Sequence, residues 1–168
     1  FLAVAAVAAV LSGCVNNQVP PCPSVRVDST TARLTQFKEG AGRDITDVAY
    51  QAEVVAYQGE CNYSDDGVSV NMDLDFAIAT GAAVQAGPVS IYYFVAIPQM
   101  FPQPAGKRVF VLKHTLPATP GVRSKVRENG IKVFIPLKKD EPGASYDVYV
   151  GLQLDNTQLD YNRSQRPK

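Results

Sequence analysis

The chain has no tryptophan, a single histidine (His114), three cysteines, and no excess of either charge: 16 basic side chains stand against 16 acidic ones in 168 residues. One histidine is too few for most histidine-dependent catalytic or metal sites, and with two cysteines it would still leave zinc short of its four ligands. Zero net charge excludes a strongly basic nucleic-acid binder and an acidic disordered tail. The longest apolar run, Phe1 to Leu11, holds eleven residues. As a helix at about 1.5 Å per residue it spans roughly 17 Å, short of a hydrocarbon core near 30 Å, so it is not a permanent transmembrane helix. Neither G-x-S-x-G nor a Walker A sequence occurs. Gly40-Ala-Gly42 begins a phosphate-loop pattern, but Ile45 stands where the third glycine belongs.

What is present describes one compact domain. Hydrophobic residues make up 46% of the chain, enough for a single core at this length, and 12 prolines with 12 glycines predict many short elements joined by turns. The dominant period is two. Val68, Val70, Met72, Leu74, Phe76 and Ile78 alternate with Ser69, Asn71, Asp73, Asp75, Ala77 and Ala79, which predicts a half-buried antiparallel strand behind an Asp66-Gly67 hairpin turn. Tyr146 to Leu154 repeats the alternation, and Tyr50, Ala52, Val54 and Ala56 do so more weakly. Val89 to Ile97 is apolar on both faces and reads as a central strand covered on both sides. Val109 to Leu116, Ile131 to Leu137, and one or two strands within Val25 to Phe37 complete the set. The fold expected is all-β, a single antiparallel β-sandwich of immunoglobulin or fibronectin type with about seven or eight strands over residues 25–155. Residues 156–168 read as a polar tail with one helical turn at Thr157–Asn162, capped by Asp155 or Asn156.

Phe1–Leu11 suits the h-region of a secretory signal, and with no initial Met or basic segment its start is read as truncated. Directly behind it stands Leu11-Ser12-Gly13-Cys14. This tetrapeptide resembles the lipobox of bacterial lipoproteins, and the whole is similar to small lipoproteins of periplasmic β-sandwich type. The resemblance implies a signal peptide over 1–13, cleavage before Cys14, and a diacylglycerol on its thiol with acylation of the new amine. It also implies a membrane anchor, since two or more acyl chains hold a protein stably. Val15, rather than Asp, after the lipid cysteine implies the outer membrane of a Gram-negative cell, periplasmic face. Residues 14–24 then form a Pro-rich tether.

With Cys14 spent on lipid, Cys22 and Cys61 remain. An even pair in an oxidising compartment is expected as a disulfide that staples the tether to the sandwich, the alternative being two unpaired thiols. His114 shares a strand face with Phe110 and Leu112 and is expected partly buried and hydrogen-bonded rather than paired with Cys61 as a base. Asp73 and Asp75 are spaced like a carboxylate pair, but on the polar face of a regular strand solvated charges are expected.

Two features carry the expectation of binding. Residues 1–106 hold 4 basic and 10 acidic groups, and residues 107–168 hold 12 and 6. Within the second half Arg123, Lys125 and Arg127 alternate along one face of an expected edge strand, read either as edge protection or as contact with an anionic surface. Met100 and Phe101 sit among Pro98, Pro102 and Pro104 in a loop read either as the cap of the sandwich or as a docking tip. Together Met100, Phe101, Arg123, Lys125 and Arg127 form the candidate partner surface. The function expected is a non-catalytic binding or scaffolding role in the envelope, with no cofactor, no metal and no nucleic acid. Its partner would be an envelope protein or an anionic glycan or lipid surface. The alternative is a carbohydrate-binding or accessory module of a periplasmic hydrolase system, which a cluster among Tyr50, Tyr57, Tyr92 and Tyr149 would favour.

Overall fold

The computed structural model describes residues 20–40 and 42–165. The signal segment 1–13, Cys14 and the first part of the tether lie outside the described residues. Eight strands form two four-stranded sheets, an all-β sandwich: β1 (Ser24–Val27), β8 (Asp147–Leu152), β5 (Gly87–Ala96) and β6 (Lys107–Leu116) in sheet A, and β2 (Arg33–Phe37), β3 (Val48–Ser64), β4 (Gly67–Thr80) and β7 (Arg123–Pro136) in sheet B. All pairings are antiparallel except that of β1 with β8, which is parallel. The strand order is the chain's own: β2, β3 and β4 run consecutively in one sheet, whereas an immunoglobulin domain divides its strands ABED and CFG.

The alternation of β4 does what its pattern predicts. Val68, Val70, Met72, Leu74, Phe76 and Ile78 are each at most 2% exposed, and each such side chain stabilises the fold by about 1.5–3 kcal/mol through burial. Phe76 meets Tyr93 of β5 at 5.1 Å between ring centroids, and Tyr93 stacks on Phe110 of β6 at 5.2 Å. These rings join the two sheets. The β3–β4 turn is Asp65-Asp66, one residue earlier than expected, and Gly67 opens β4 at φ +156°, where a Cβ would strike the Ile135 carbonyl oxygen.

Two bulges change which residues face inward. In β3 the register shifts between Val54 and Ala56: before it Tyr50, Ala52 and Val54 point into the core, and after it Tyr57, Gly59, Cys61 and Tyr63 pair with the inward residues of β4. Ala56 therefore belongs to the outer face, a correction to its place in the expected alternation. In β7 an extra residue between Glu128 and Ile131 moves the inward set from Ser124, Val126 and Glu128 to Ile131, Val133 and Ile135. The Arg123–Arg127 row and the Ile131–Leu137 run thus belong to one bent strand.

The polar tail is a packed helix. α1 (Asn156–Ser164) starts at Asp155, whose carboxylate accepts from the Gln158 amide while Gln158 reaches back to the Asp155 N–H. It lies on β2: Tyr161 meets Phe37 edge-on at 5.1 Å, and Asn162 Nδ2 donates to the Arg33 carbonyl at 2.6 Å. That contact covers an edge of sheet B.

Candidate functional site

The even pair of cysteines expected to bridge does so, and it fixes the end of the tether. A disulfide joins Cys22 to Cys61 with Cα atoms 5.7 Å apart, and the Tyr63 hydroxyl donates to the Pro21 carbonyl at 2.7 Å. Cys61 is therefore no nucleophile. His114 faces inward beside Phe110 and Leu112, as expected, but its Nε2 is buried with no hydrogen-bond partner, a correction to the hydrogen-bonded expectation. The neighbours it shares that strand face with, Phe110 and Leu112, are apolar side chains that can accept no hydrogen bond from it.

The carboxylate pair is also corrected. Asp75 is only 6% exposed, because two side chains of β7 fold over it. Arg127 donates to both oxygens in a fork, Nε to Oδ1 at 2.6 Å and Nη2 to Oδ2 at 2.9 Å, and Lys125 Nζ stands 3.1 Å from Oδ2. The Arg127 fork, joined by Lys125, holds the Asp75 carboxyl far below the usual carboxylate range although burial opposes it. Asp73 acts elsewhere, accepting from the Gly130 N–H at the β7 bulge.

The expected partner surface is divided by the fold. Met100 is 7% exposed and belongs to the core, where it closes one end of the sandwich, so it is no docking tip. Its neighbour Phe101 is 55% exposed, beside the Ala96 and Lys107 ends of β5 and β6. Arg123, Lys125 and Arg127 do share the outer face of an edge strand, as expected. Yet Lys125 and Arg127 are engaged by Asp75, and Arg123 lies at the opposite end of the sandwich, paired with Ala79. The loop and the row are not brought together.

What the fold assembles instead is the outer face of β5 and β6. Val89–Ile97 was expected to be covered on both sides; only the inner face is, with Ile91, Tyr93 and Val95 at most 2% exposed. On the other face Tyr92 is 51% exposed and pairs with Val111, 42% exposed, while half-buried Phe94 pairs with Val109, 51% exposed. Lys107 Nζ lies 4.6 Å from the Phe94 ring centroid, a cation–π contact at one end of the patch, and Lys113 stands at the other. Neither β5 nor β6 contains an acidic residue. The neighbouring flank extends this charge: β6 carries Lys107, Arg108 and Lys113, and β7 carries Arg123, Lys125, Arg127 and Lys132 against Glu128 alone. The two strands touch where Arg108 Nη1 donates to the Lys132 carbonyl at 3.1 Å. Seven of the twelve basic residues of the second half thus lie on these two neighbouring strands, two of them, Lys125 and Arg127, engaged by Asp75.

The sequence signal for this face was the two-sided apolarity of β5, together with Val109 and Val111 at odd positions while Phe110 and Leu112 filled the even ones. The tyrosines form no single platform. Tyr50 is core, and the Tyr57 hydroxyl bonds the Val25 carbonyl at 2.9 Å at the edge of the sandwich. Only Tyr92 and Tyr149 share the outer face of sheet A, four rows apart in the pairing register. A cleft of about 290 Å³ between α1 and residues 36–40 holds Phe37, Arg43 and Tyr161, but its Asp155 is used by the helix cap and its Lys38 by Asp47. Among the described residues no cluster of three His, Cys, Asp or Glu side chains is placed to hold a metal. Compared with protein-family models, with curated proteins and with solved structures, the chain matches none.

Proposed function

We propose that the protein is a lipid-anchored periplasmic protein of the bacterial outer membrane that works by binding rather than turnover. Its docking surface is the outer face of β5 and β6. The observation that carries this reading is the exposure of Tyr92, Val109 and Val111, with Phe94, as a continuous apolar patch in a molecule that buries the opposite faces of the same strands. An apolar patch bordered by charge on one side is how a protein interface is commonly built. The anchor rests on Leu11-Ser12-Gly13-Cys14 behind its apolar run. The tyrosine distribution weighs against a carbohydrate module, because a sugar platform needs its rings side by side.

The test is site-specific photocrosslinking in the native envelope, with the reactive group at Val109 or Val111 and a control at Ser69 on the far sheet. Face positions should capture a discrete partner that the control does not, and Tyr92→Ser should remove the capture while leaving the fold intact, since exposed substitutions change stability by only about 0.5 kcal/mol. Capture of polysaccharide alone, or no face-specific product, refutes the reading. Mass spectrometry of the membrane fraction should show an acylated Cys14 as the mature N-terminus; an unmodified soluble chain refutes the anchor.

A further inference from the structure

β6 hydrogen-bonds to β5 on one side only, so among the described residues its other edge has no strand paired to its backbone N–H and C=O groups. Along its outer face run Lys107, Val109, Val111 and Lys113: cation, apolar, apolar, cation, at every second residue. Building on the docking face proposed above, we infer that its occupant is a protein segment that adds an extended strand to the β6 edge, with outer side chains running carboxylate, apolar, apolar, carboxylate.

The spacing sets the length of the match. At about 3.3 Å per residue Lys107 and Lys113 stand roughly 20 Å apart along the strand, so partner carboxylates six residues apart meet both. The two apolar side chains between them lie beside Val109 and Val111 and extend the Tyr92–Phe94 patch across a third strand. Main-chain hydrogen bonds along the edge supply affinity, and the alternate side chains supply selection.

A second copy of this chain is the other obvious donor, and charge rejects it. The antiparallel self-pairing that sets Val109 against Val111 also sets Lys107 against Lys113, at both ends of the ladder. Like charges directly opposite one another destabilise a strand pair, and Arg108 and Lys132 lie close by on the same flank. The lysines therefore exclude the self-complementary strand and select the acidic one. An anionic bilayer satisfies the lysines equally well, but it leaves the edge hydrogen bonds unmade.

The test uses the full chain in mild detergent, titrated with blocked peptides and followed by amide NMR and hydrogen exchange. The probes are Ac-ETVTVTE-NH2, its lysine-flanked counterpart Ac-KTVTVTK-NH2, the glutamate peptide N-methylated on the edge that meets β6, and phosphatidylglycerol vesicles. The glutamate peptide should bind about tenfold more tightly than the lysine peptide, protect β6 amides, and lose binding on N-methylation. The double variant Lys107→Glu, Lys113→Glu should reverse the peptide preference; should it not fold, the peptide pair on the unaltered chain decides. Equal affinity for the two peptides, undiminished binding of the N-methylated one, or binding to vesicles with no peptide bound at millimolar concentration each overturns the inference. In those cases persisting crosslinks at Val111 in the envelope leave the docking face standing, whereas their absence refutes the face itself.

Discussion

Removing the Cys22–Cys61 bridge tests how the first strand is held. The bridge closes a loop with a sequence separation of 39. Loop-closure entropy for that length amounts to about 4 kcal/mol in favour of the folded state. The other restraints on β1 are slight. It has four residues, it pairs with β8 alone, it takes one side-chain hydrogen bond from Tyr57 at the Val25 carbonyl, and its ion pair, Arg26 with Asp147 at 2.9 Å, is largely exposed and screened by solvent. The double variant Cys22→Ala, Cys61→Ala should therefore lose close to the full 4 kcal/mol in urea denaturation. For a chain of this size that lowers Tm by roughly 8–16 °C. Hydrogen exchange should localise the loss, with the amides of β1 exchanging much faster while those of β4 follow only the drop in global stability. A loss below about 1 kcal/mol with unchanged β1 exchange would show that packing, not the bridge, holds the strand, and the entropy argument would fail.

Met100→Ala should destabilise the fold by about 2–5 kcal/mol, whereas Phe101→Ala should stay within about 0.5 kcal/mol, both measured by urea midpoint; equal effects refute the division of that loop into core and surface. Asp75 gives a pH dependence of known sign: its carboxyl is held below the usual carboxylate range when folded, so its contribution is present at neutral pH and is lost as pH falls through and below the ordinary carboxylate range. Denaturation profiles taken from about pH 5 to pH 2 should be flatter for Asp75→Asn than for the unaltered chain, and parallel profiles refute the assignment. Gly67→Ala should destabilise the β3–β4 hairpin by more than 1 kcal/mol, roughly, since its Cβ meets the Ile135 carbonyl at a positive φ; a neutral outcome in thermal unfolding refutes it.

Local rules were readable where nothing distant interfered. Six alternating residues placed β4; Asp155, one of two candidate caps, marked the start of α1; and an even pair of cysteines placed the bridge. The bulges at Val54–Ala56 and Glu128–Ile131 were not readable, because an inserted residue looks the same as any other until its partner strand is known. For the same reason a single strand, β7, read as two unrelated features. Asp75 looked like a solvated charge because the Arg127 fork over it comes from 52 residues away in sequence. The exposed outer face of β5 and β6 was missed for a different reason. A strand apolar on both faces reads as one buried on both faces, and only the sheet order shows that nothing in the described chain covers Tyr92.

The β3 bulge also ties geometry to chemistry. Cys61 pairs with inward-facing Val70 and reaches Cys22 only because the inserted residue near Val55 has shifted every later side chain to the opposite face. A β3 paired one residue out of step would turn Cys61 away from Cys22 and leave both thiols open to other partners. The bridge is therefore a covalent record of strand alignment: it can close when the hairpin is in phase, and an out-of-phase molecule would keep its error as a pair of free sulfhydryls.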